Sequence, residues 1–387
     1  MEINQLKLLF QIQMPSLCLS NLIKKSVGIM NECKSVCIIQ NSIKTVVVFR
    51  LSYIKQLLSR GHKVYCIAPN DDNESVDCLK KYGVIVITTD NERLLYRYFF
   101  INLSLLWVLF KEKFKLTVSC HFLVTFIFSI PSIFFARKTV CFIEGIGTFF
   151  TKNKGFLNIL RLLLTRGVGK RIFMNKYEKN LLGCDGDLVL GGIGVDIESF
   201  CYSYKIKKCS RKIELLYVGR LVEDKGIFYI IELIKHLKLA GVDFTLNVVG
   251  DTYPANPSSL TEDDIANLKA EFEEDIIFHG YLSDLRHIYA KTDVLLLLSK
   301  HEGFPVVVME ANACGIPAIC YAVPGCIDAI EHGVNGFLFN EGEIEDIVKL
   351  ISTQNFSLLA TQCRNYAEKN FNQVIKNRAI IEAIESL

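Results

Sequence analysis

Clustered cysteines are missing from this chain of 387 residues. Its fourteen cysteines are spread along the sequence, with no Cys-x-x-Cys pair and no Cys/His cluster at zinc spacing. This distribution argues against a zinc module and against a disulfide framework. We therefore predict reduced thiols in a cytosol, mostly small buried apolar side chains, and no metal site.

Several motifs of nucleotide and acyl chemistry are missing as well. The sequence contains no Gly-x-Gly-x-x-Gly motif and no Walker lysine motif, which disfavours a nicotinamide enzyme and a P-loop ATPase. It also contains no Gly-x-Ser-x-Gly elbow of the kind that carries a nucleophilic serine. The catalytic and ligand-binding residues must therefore belong to other motifs of the sequence.

Neither of the two longest apolar stretches is an uninterrupted membrane span. Arg97 interrupts residues 94–110, and His121 and Pro131 interrupt residues 116–136. We predict a helix with a broad apolar face for the first stretch, and a strand followed by a helix for the second. The apolar excess predicts a surface that rests on a bilayer rather than an integral membrane protein.

Composition favours a globular protein of two domains, since half of the residues are apolar and 22% are charged. The net charge of +3 is unevenly divided. Residues 1–200 contain 26 Lys and Arg against 15 Asp and Glu, a net +11, whereas residues 201–387 contain 18 against 26, a net −8. The basic first half predicts an anionic partner, a membrane leaflet or a lipid-linked phosphate, or simply a solvated surface. No nucleic-acid recognition motif accompanies the charge.

The first half begins with an alternating pattern of strands and helices. Residues 1–32 have no clear period and resemble a signal peptide only weakly, so we predict an extension and a cytoplasmic protein. Strands are predicted at 36–39 and 62–68, with a helix at 47–59 between them. This βαβ order predicts an α/β domain with a parallel sheet. Further strands are predicted at 116–120, 139–143 and 187–194, with a helix around 176–182. In the second half, Ser283 is predicted to cap the helix that follows the strand at 276–282.

The most informative stretch is Ser299–Gly325. An unbroken apolar run at 294–298 predicts a buried parallel strand just before it. Pro305 then suits the first turn of a helix that stops at Gly315. Glu302 is therefore expected at the carboxyl edge of a sheet, where open α/β sheets bind ligands.

Backbone amides and two carboxylates surround this helix start. The amides of Gly303, Phe304 and Val306 are expected to favour an anion such as phosphate. Glu302 beside the phosphates and Glu310 inside the helix would hold the hydroxyls of a sugar and of a ribose. The alternative is that Glu302 caps the helix and Glu310 lies on a solvated face.

A second anion-binding corner is predicted where the strand 213–218 runs into the segment G-R-L-V-E-D-K-G. A glycine turn leads into a helix that begins near Gly226, and Arg220 and Lys225 supply mobile positive charge. The alternative is a surface loop that happens to contain two basic residues.

The motif S-x-x-E-G-F-P-x-x-x-x-E-A-x-A-C-G-x-P resembles the Glu-x7-Glu signature of retaining family 4 glycosyltransferases with the GT-B fold. G-G-I-G-V-D-I-E-S-F likewise resembles the motif at the domain crossover of that family. The resemblance covers residues 33–387 and is strongest over 213–340. It implies an α/β architecture of two Rossmann-like domains that face a cleft and join near residue 191.

The resemblance also implies the domain organisation. An N-terminal extension at 1–32 precedes an acceptor-side Rossmann-like domain at 33–190. A Rossmann-like domain that binds the nucleotide sugar follows at 191–370, and a last helix at 371–387 crosses back to the first domain.

The resemblance assigns the donor site residue by residue. Arg220 and Lys225 are expected to hold the nucleotide diphosphate, and Glu302 the sugar hydroxyls; these three are the catalytic candidates. The remaining donor-binding candidates, which include backbone groups that cradle the base, are Glu310, Gly303, Phe304, Pro305, Val306, Gly219, Tyr281, Leu282 and Gly325.

The acceptor side is expected around I-E-G-I-G-T-F-F, residues 143–150, because relatives that build bacterial surface polysaccharides carry a similar segment. Many family members have His where this chain has Glu144, and the role of that His is not transferred. The acceptor-side candidates are Glu144, Gly145, Gly147, Thr148 and His121. The alternative is that Glu144 caps a helix or pairs with a lysine. The loop at 40–45 lacks the glycine pair of many relatives.

The implied activity is sugar transfer with retention from a nucleotide sugar, a UDP-hexose or UDP-N-acetylhexosamine, to a glycan or lipid-linked acceptor in surface polysaccharide or lipopolysaccharide assembly. No cofactor or metal is expected. Peripheral association with an anionic membrane is expected, at the cytoplasmic face of the inner membrane. The alternatives are a sugar-nucleotide epimerase of the same fold and a catalytically silent subunit that binds nucleotide sugars.

Overall fold

The computed structural model describes residues 34–90, 93–121, 138–146, 154–200 and 212–387. The predicted extension at 1–32 lies outside the described residues, as do Gly147, Thr148 and the helix expected within 116–136. Two parallel α/β sheets organise the described chain. Its cysteines are free thiols and most of them are buried, as the sequence predicts.

The first domain is built on a parallel sheet of order β3-β2-β1-β4-β5-β6-β7. Its strands are β1 (Ser35–Ile39), β2 (Lys63–Pro69), β3 (Ile85–Thr89), β4 (Leu116–His121), β5 (Thr139–Ile143), β6 (Lys170–Phe173) and β7 (Leu188–Val189). The described helices of this domain are α1 (Ile43–Ser59), α2 (Asn73–Lys81), α3 (Leu94–Lys111), α4 (Lys154–Gly167) and α5 (Lys176–Leu182).

The second domain is built on a parallel sheet of order β10-β9-β8-β11-β12-β13. Its strands are β8 (Ile213–Val218), β9 (Phe244–Val249), β10 (Ile276–Phe278), β11 (Val294–Leu297), β12 (Ala318–Tyr321) and β13 (Gly336–Phe339). The helices are α6 (Ile227–Leu239), α7 (Glu262–Phe272), α8 (Arg286–Tyr289), α9 (Val306–Ala313), α10 (Pro324–Ala329), α11 (Ile344–Thr353), α12 (Ala360–Asn370) and α13 (Gln373–Glu385).

The strand order fixes where ligands can bind. Strands β1 and β4 are neighbours in the first sheet, and β8 and β11 are neighbours in the second, although many residues separate them in the chain. At each of these pairs the helices leave in opposite directions, which opens a crevice at the carboxyl ends of the strands. The central strands β1, β4, β5, β9, β11 and β12 are buried along their length because helices cover both faces of a parallel sheet.

The C-terminal helix α13 packs on the first domain rather than on the second. Ile380, Ile381 and Ile384 are buried in the same apolar cluster as residues of β1 and α1. Asn377 Nδ2 donates to Ser52 Oγ on α1 at 2.8 Å. The end of the chain therefore ties the two domains together.

Three local predictions are wrong. Helix α1 begins at Ile43 rather than at 47, because Ser42 Oγ accepts the Thr45 N–H and caps it there. Strand β7 has two residues instead of the predicted 187–194. Ser283 does not cap α8, because the N-cap position is Leu285 and Asp284 Oδ1 accepts the Arg286 N–H.

No helix of the described chain is both long and apolar enough to cross a membrane.

Candidate active site

The crevice of the second sheet brings the two predicted anion-binding corners together. The loop after β8 carries Lys225, and the loop after β11 carries Glu302; the two strands are adjacent. Gly226 has a φ of +80°, and a Cβ there would lie 2.0 Å from the Leu298 carbonyl oxygen. Only glycine permits this approach, which sets Lys225 beside Glu302.

An ion pair joins these two candidates. Lys225 Nζ lies 2.8 Å from Glu302 Oε1, and the side chains are 30% and 10% exposed. Because both groups are partly withdrawn from water, their attraction is screened less than that of a surface pair. The pair fixes Glu302 at the mouth of the crevice with a cation on one side.

Arg220 lies at the same edge on the outer side. Its side chain is exposed, and the guanidinium carbon lies 5.2 Å from the centroid of the Tyr253 ring. The Tyr217 hydroxyl donates to the Arg220 carbonyl oxygen at 2.6 Å and holds the turn that begins at Gly219. The turn is fixed while the cation stays accessible, as an anion site requires.

Replacing either cation tests this corner. Arg220→Ala and Lys225→Ala are each expected to weaken UDP binding by at least ~1.5 kcal/mol, because each removes a charge-assisted contact to a phosphate. Isothermal titration calorimetry with UDP measures the loss. Lys235→Ala, which removes an exposed cation on α6, is the matched control and should leave the affinity unchanged. Unchanged affinity in both site variants would remove the corner from the donor site.

The start of α9 presents backbone rather than side chains to the crevice. Pro305 occupies the N-cap position and Val306 begins the helix. The Phe304 ring packs edge-on against Phe371, with the centroids 5.9 Å apart. This packing holds the half-buried Phe304 ring in place beside the helix start.

Gly303 lies where the two domains touch. Its carbonyl accepts a 2.7 Å hydrogen bond from Asn175 Nδ2 of the first domain. A Cβ on Gly303 would lie 3.0 Å from the Glu144 carbonyl oxygen. This contact brings the donor-side loop and the acceptor-side loop within van der Waals distance.

Gly325 differs from its predicted role as a ligand-contacting backbone group. It is buried, and its N–H donates to the Glu302 carbonyl oxygen at 3.2 Å. A Cβ at this position would lie 2.5 Å from that oxygen. Gly325 therefore supports the Glu302 loop from behind, and its amide is already used.

Glu310 lies inside α9, partly buried, with its Oε2 accepting the Tyr289 hydroxyl at 2.9 Å. Burial raises the pKa of Glu310 to about 7, although the Tyr289 hydrogen bond acts to lower it. The carboxyl group is held rather than solvated, which excludes the alternative of a freely solvated helix face. Its protonation changes near neutral pH.

That pKa predicts a pH dependence of ligand binding. An ionised carboxylate accepts ribose hydroxyls better than a protonated one, so UDP affinity should rise from pH 6 to pH 8 by up to about tenfold more than in Glu310→Gln. The comparison with the variant cancels the titration of the UDP phosphate itself. Calorimetry at both pH values is the measurement. A wild-type profile parallel to that of the variant would show that Glu310 does not contact the ligand.

Tyr281 and Leu282 mark the far end of the crevice. Tyr281 is 64% exposed and its N–H donates to Asp251 Oδ1 at 2.9 Å. Lys44 Nζ of the first domain lies 5.6 Å from the centroid of the Tyr281 ring. Leu282 packs partly on the core of the second domain. Both domains thus contribute to this end as well.

A cavity of about 620 Å³ lies between the domains beside Glu302. The first domain contributes Gly145, Ile146, Asn175, Tyr177 and Glu178, and the second contributes Asp224, Lys300, His301, Glu302, Gly303, Ala322, Val323 and Pro324. The predicted acceptor-side loop therefore does face the predicted donor-side loop. The space is large enough for a ligand of drug-like size.

Helix α5 supplies the polar groups on the acceptor side. Asn175 Oδ1 accepts the Glu178 N–H at 2.8 Å and caps the helix, while the same side chain contacts Gly303. Glu178 is 4% exposed and its Oε1 accepts the Ile146 N–H at 3.0 Å. Burial raises the pKa of Glu178 to about 8, although the backbone N–H groups of Ile146 and Gly145 act to lower it. Glu178 therefore carries its proton at neutral pH and fixes this loop.

Glu144 pairs with an arginine, not with a lysine. Its carboxylate contacts the Arg50 guanidinium from the middle of α1, and both side chains are withdrawn from solvent. Burial acts to raise the pKa of Glu144, but Arg50 and His121 outweigh it and lower the pKa to about 2. Glu144 is thus a fixed anion beside the cleft. Arg50 Nε and Nη1 have no hydrogen-bond partner among the described residues.

His121 is fully buried and cannot touch an acceptor, contrary to its predicted place on the acceptor side. Its Nε2 lies 2.5 Å from the Tyr53 hydroxyl and 3.1 Å from Ser119 Oγ. Burial first, and then the Arg50 charge, lower the pKa of His121 to about 4. The ring is therefore neutral at pH 7 and supports Glu144 from below, with Nδ1 3.9 Å from Oε1.

A second cavity, of about 180 Å³, lies on the other side of Glu144. Arg50 and Glu144 form one wall, and Phe304 and Val306 at the start of α9 form the opposite wall. A ligand held at the helix N-terminus can extend into it and meet the Glu144 carboxylate.

Four residues of this site were not among the candidates predicted from the sequence: Arg50, Asn175, Glu178 and Tyr289. Arg50 is the single charge in the apolar run V-V-V-F-R-L-S-Y-I, which is a signal for a buried ion pair. Asn175 and Glu178 have the three-residue spacing of a capping pattern. Nothing in the sequence distinguishes Tyr289, because only the fold places it against Glu310.

The chain is similar to known proteins in sequence and in fold. Residues 203–378 match the family model described as Glycosyl transferases group 1. The capsular polysaccharide biosynthesis glycosyltransferase CapM of Staphylococcus aureus is 31% identical over 175 residues, 44% of each chain. The N,N'-diacetylbacillosaminyl-diphospho-undecaprenol alpha-1,3-N-acetylgalactosaminyltransferase of Campylobacter jejuni is 24% identical over 79% of this chain and 85% of its own length. The alignments to the first-ranking curated relatives span about half of those proteins.

Solved structures extend the similarity to both domains. HepE of Anabaena, in complex with UDP and glucose, superposes with a TM-score of 0.72 over 92% of this chain and all of that one, at 20% identity. WaaG, a glycosyltransferase involved in lipopolysaccharide biosynthesis, superposes with a TM-score of 0.65 over 90% of this chain and 99% of its own, at 15% identity. The chain therefore has the GT-B fold, and its residues 203–378 are similar to the glycosyl transferases group 1 family.

Proposed function

We propose that this protein is a glycosyltransferase that moves a sugar from a nucleotide sugar to a glycan or lipid-linked acceptor during surface polysaccharide assembly. The observation that carries the proposal is the ion pair of Lys225 with Glu302, at the switch point of the second sheet and beside the start of α9. This corner presents cations and backbone N–H groups where a diphosphate fits, next to a carboxylate that accepts sugar hydroxyls.

The nucleotide is proposed to be UDP, and the sugar a hexose or an N-acetylhexosamine. Glu310, held by Tyr289, would bind the ribose hydroxyls, and the backbone around Tyr281 and Leu282 would contact the base. Glu302 would orient the sugar. HepE, which shares the fold, was solved with UDP and glucose, which supports a UDP-linked donor as the first candidate.

The transfer is proposed to proceed with retention and without a metal ion. The bond between the anomeric carbon and the β-phosphate oxygen breaks, and the acceptor oxygen bonds to that carbon on the same face. The acceptor hydroxyl proton goes to the leaving phosphate oxygen. Arg220, Lys225 and the amides of α9 would stabilise the negative charge that grows on the diphosphate. Glu302, held by Lys225, would orient the sugar and make no covalent bond to it.

The acceptor is proposed to enter through the cavity of about 620 Å³ that Gly145, Ile146 and Glu178 line from the first domain. A protonated Glu178 keeps this wall uncharged, and Glu144 places one fixed anion in the neighbouring cavity of about 180 Å³. Two relatives are named for diphosphoundecaprenol-linked acceptors, which supports a lipid-linked substrate for this chain. We propose accordingly that the protein works peripherally at the cytoplasmic face of the inner membrane.

The test is a mass-spectrometric screen of UDP- and GDP-sugars against diphosphoundecaprenol-linked acceptors. The wild type should extend an acceptor by one sugar. NMR of the product should show that the α configuration of the donor is retained. Activity should survive EDTA. Glu302→Gln is the matched control and should lose most of the product while still binding UDP.

Other products would redirect the proposal. Conversion of UDP-N-acetylglucosamine without any acceptor would identify an epimerase. UDP binding without turnover of any donor would identify a silent binding subunit. Loss of activity in EDTA that Mn²⁺ or Mg²⁺ restores would overturn the metal-independent mechanism.

A further inference from the structure

Glu178 has one carboxyl oxygen that the fold does not use. Its Oε1 accepts the Ile146 N–H at 3.0 Å, whereas Oε2 has no hydrogen-bond partner among the described residues, although the side chain is buried. A buried polar atom without a partner costs free energy, so each one calls for an explanation. Of the buried side chains in this condition within the described chain, Glu178 is the one that lines the cavity of about 620 Å³ between the domains.

A helix-capping role does not account for this carboxyl group. Asn175 Oδ1 accepts the Glu178 N–H at 2.8 Å, and in a capping box the Glu178 side chain would in return accept the Asn175 N–H. The carboxyl group reaches the loop after β5 instead, where it accepts the Ile146 N–H. The backbone of Glu178 therefore serves the start of α5, while its acid group belongs to the wall of the cavity.

The carboxyl group of Glu178 carries a proton at neutral pH. Burial raises the pKa of Glu178 to about 8, and the charge of Glu144 acts in the same direction. A protonated carboxyl group has one O–H to donate, and since Oε1 accepts a backbone N–H, the proton lies on Oε2. Below that pKa, Glu178 is a neutral hydrogen-bond donor in the wall of the cavity, and above it Glu178 is an anion.

A neutral donor favours one kind of ligand oxygen. A sugar hydroxyl pairs more strongly with an ionised carboxylate, because that hydrogen bond is charge-assisted. A carbonyl or phosphoryl oxygen has no proton to donate, so it pairs with the protonated acid but not with the anion. A site that is built around one donor discriminates against ligands that leave the donor unpaired. The ligand group that matches Glu178 is therefore an oxygen that only accepts hydrogen bonds.

Other ionisable groups lie around the same cavity. Glu144 pairs with Arg50 beside this wall, and Glu302 pairs with Lys225 on the opposite side. Because such groups also respond to pH, the titration of Glu178 has to be isolated with a variant that differs only at this residue. The described ionisable groups that face it are Glu144 and Tyr177 from the first domain and Asp224, Lys300, His301 and Glu302 from the second.

We propose that Glu178 is a specificity-determining residue of the transfer, and that its Oε2–H donates to a carbonyl or phosphoryl oxygen of the acceptor in this cavity. The inference rests on the proposed function, since it names the acceptor group that the site contacts. A sugar linked to a lipid diphosphate offers such an oxygen in two places: an N-acetyl carbonyl on the sugar and a phosphate of the linker. An acceptor without the matching oxygen leaves the donor unpaired and binds more weakly.

The test measures the binding of acceptor analogues to the full-length protein, saturated with UDP, by isothermal titration calorimetry at pH 7 and pH 9. The first probe, N-acetylglucosaminyl diphosphofarnesol, contains both kinds of oxygen. Its affinity for the wild type should fall at least about fivefold from pH 7 to pH 9, because the donor becomes an anion across a pKa of about 8. Glu178→Gln keeps an N–H donor and an oxygen for the Ile146 N–H and gains no charge. Its affinity should stay near the wild-type value at pH 7 and change little with pH.

Two further probes identify the oxygen that Glu178 contacts. Glucosyl diphosphofarnesol lacks the N-acetyl group, and farnesyl N-acetylglucosaminide lacks the phosphates. The difference in pH dependence between the wild type and Glu178→Gln should survive with only one of them, and that probe contains the oxygen in question. Glu74→Gln, which changes an exposed carboxyl group on α2, is the matched control and should follow the wild type with every probe.

Several outcomes overturn the proposal. Parallel pH profiles of the wild type and Glu178→Gln, or no binding of any probe, would show that Glu178 does not contact an acceptor. A wild-type affinity that rises toward pH 9 relative to the variant would show that the ionised carboxylate binds a hydroxyl instead. An infrared difference spectrum of the two proteins at pH 7 without the C=O stretch of a protonated carboxyl group would show that Glu178 is already an anion. No catalytic turnover enters these measurements, so a failure of sugar transfer would contradict the proposed function separately.

Discussion

Glu302→Gln is expected to lower kcat by about 10- to 100-fold while UDP affinity changes by less than about threefold. The carboxylate of Glu302 would hold the sugar, whose ring gains positive character during transfer, and a lost charge-assisted hydrogen bond is worth about 1.5–3 kcal/mol. UDP carries no sugar and therefore should not register the change. Steady-state kinetics, with calorimetry of UDP and of the UDP-sugar that the donor screen identifies, is the measurement.

The ion pair dictates which substitution is informative. Glu302→Ala would release Lys225, whose Nζ lies 2.8 Å from the carboxylate, and would change the diphosphate corner as well as the sugar contact. Glutamine keeps an oxygen that can accept from Lys225, so it isolates the charge. Glu310→Gln is the matched control and should mainly raise the donor KM, the mark of contacts made equally before and during reaction.

Two results would contradict this assignment of roles. Equal losses of UDP and UDP-sugar affinity in Glu302→Gln would show that Glu302 does not bind the sugar. Near-normal turnover in both variants would return Glu302 to a structural role beside Lys225 and Glu310 to one beside Tyr289.

The second large effect is expected at Arg50. Arg50→Met should lower the free energy of unfolding by about 3–5 kcal/mol at pH 7, because it leaves the Glu144 carboxylate withdrawn from water without its cation. Thermal or denaturant unfolding measures the loss. Replacing both partners, as in Arg50→Met/Glu144→Met, should cost less than the single change, since no buried charge remains.

The loss should depend on pH in a defined direction. In the wild type the pKa of Glu144 is held at about 2, below its ordinary value, so this carboxylate stabilises the fold above that ordinary value and ceases to do so as the pH falls toward 2. Without Arg50, only His121 still opposes the effect of burial, and the pKa of Glu144 rises from about 2. Arg50→Met is then destabilised most at neutral pH, where Glu144 is ionised, and less in acid, where Glu144 is protonated.

The difference in the free energy of unfolding between the wild type and Arg50→Met should accordingly be larger at pH 7.5 than at pH 5. His121 acts in the same sense, because the Arg50 charge helps to keep its pKa low and its removal eases protonation in acid. The double variant lacks Glu144 and should show a smaller change of the gap with pH. A gap that is constant across this range would mean that Glu144 does not stay ionised at Arg50.

Local signals in the sequence determined most of the fold. Alternating apolar runs and helix stops placed β1, β4, β5, β8, β11 and α5 within one or two residues, because a parallel strand buried on both faces is apolar throughout. Short or half-exposed elements gave weaker signals, and α2, β3 and α4 were not predicted. The start of α1 was misplaced because a single serine cap decides it.

The sequence by itself also predicted that Glu302, Gly303, Lys225 and Arg220 belong to anion-binding corners, since strand, glycine turn and helix start follow one another within each segment. What it did not contain was the distance between segments. Only the order of strands in the sheet makes β8 and β11 neighbours and thereby pairs Lys225 with Glu302. Contacts between domains, such as the hydrogen bond from Asn175 Nδ2 to the Gly303 carbonyl oxygen, likewise depend on the tertiary structure.

Charge states depended on the tertiary structure most of all. Glu144, Glu178 and Glu310 are chemically identical in the sequence, yet burial raises the pKa of Glu178 to about 8 and of Glu310 to about 7, while Arg50 and His121 outweigh burial and lower the pKa of Glu144 to about 2. The difference arises from what each carboxyl group is packed against: backbone N–H groups, a tyrosine hydroxyl, or a guanidinium from a helix about 90 residues earlier in the chain. Residue type and spacing assign a group to a site, but the solvent it loses and the charge it gains on folding decide whether that group is an acid or an anion there.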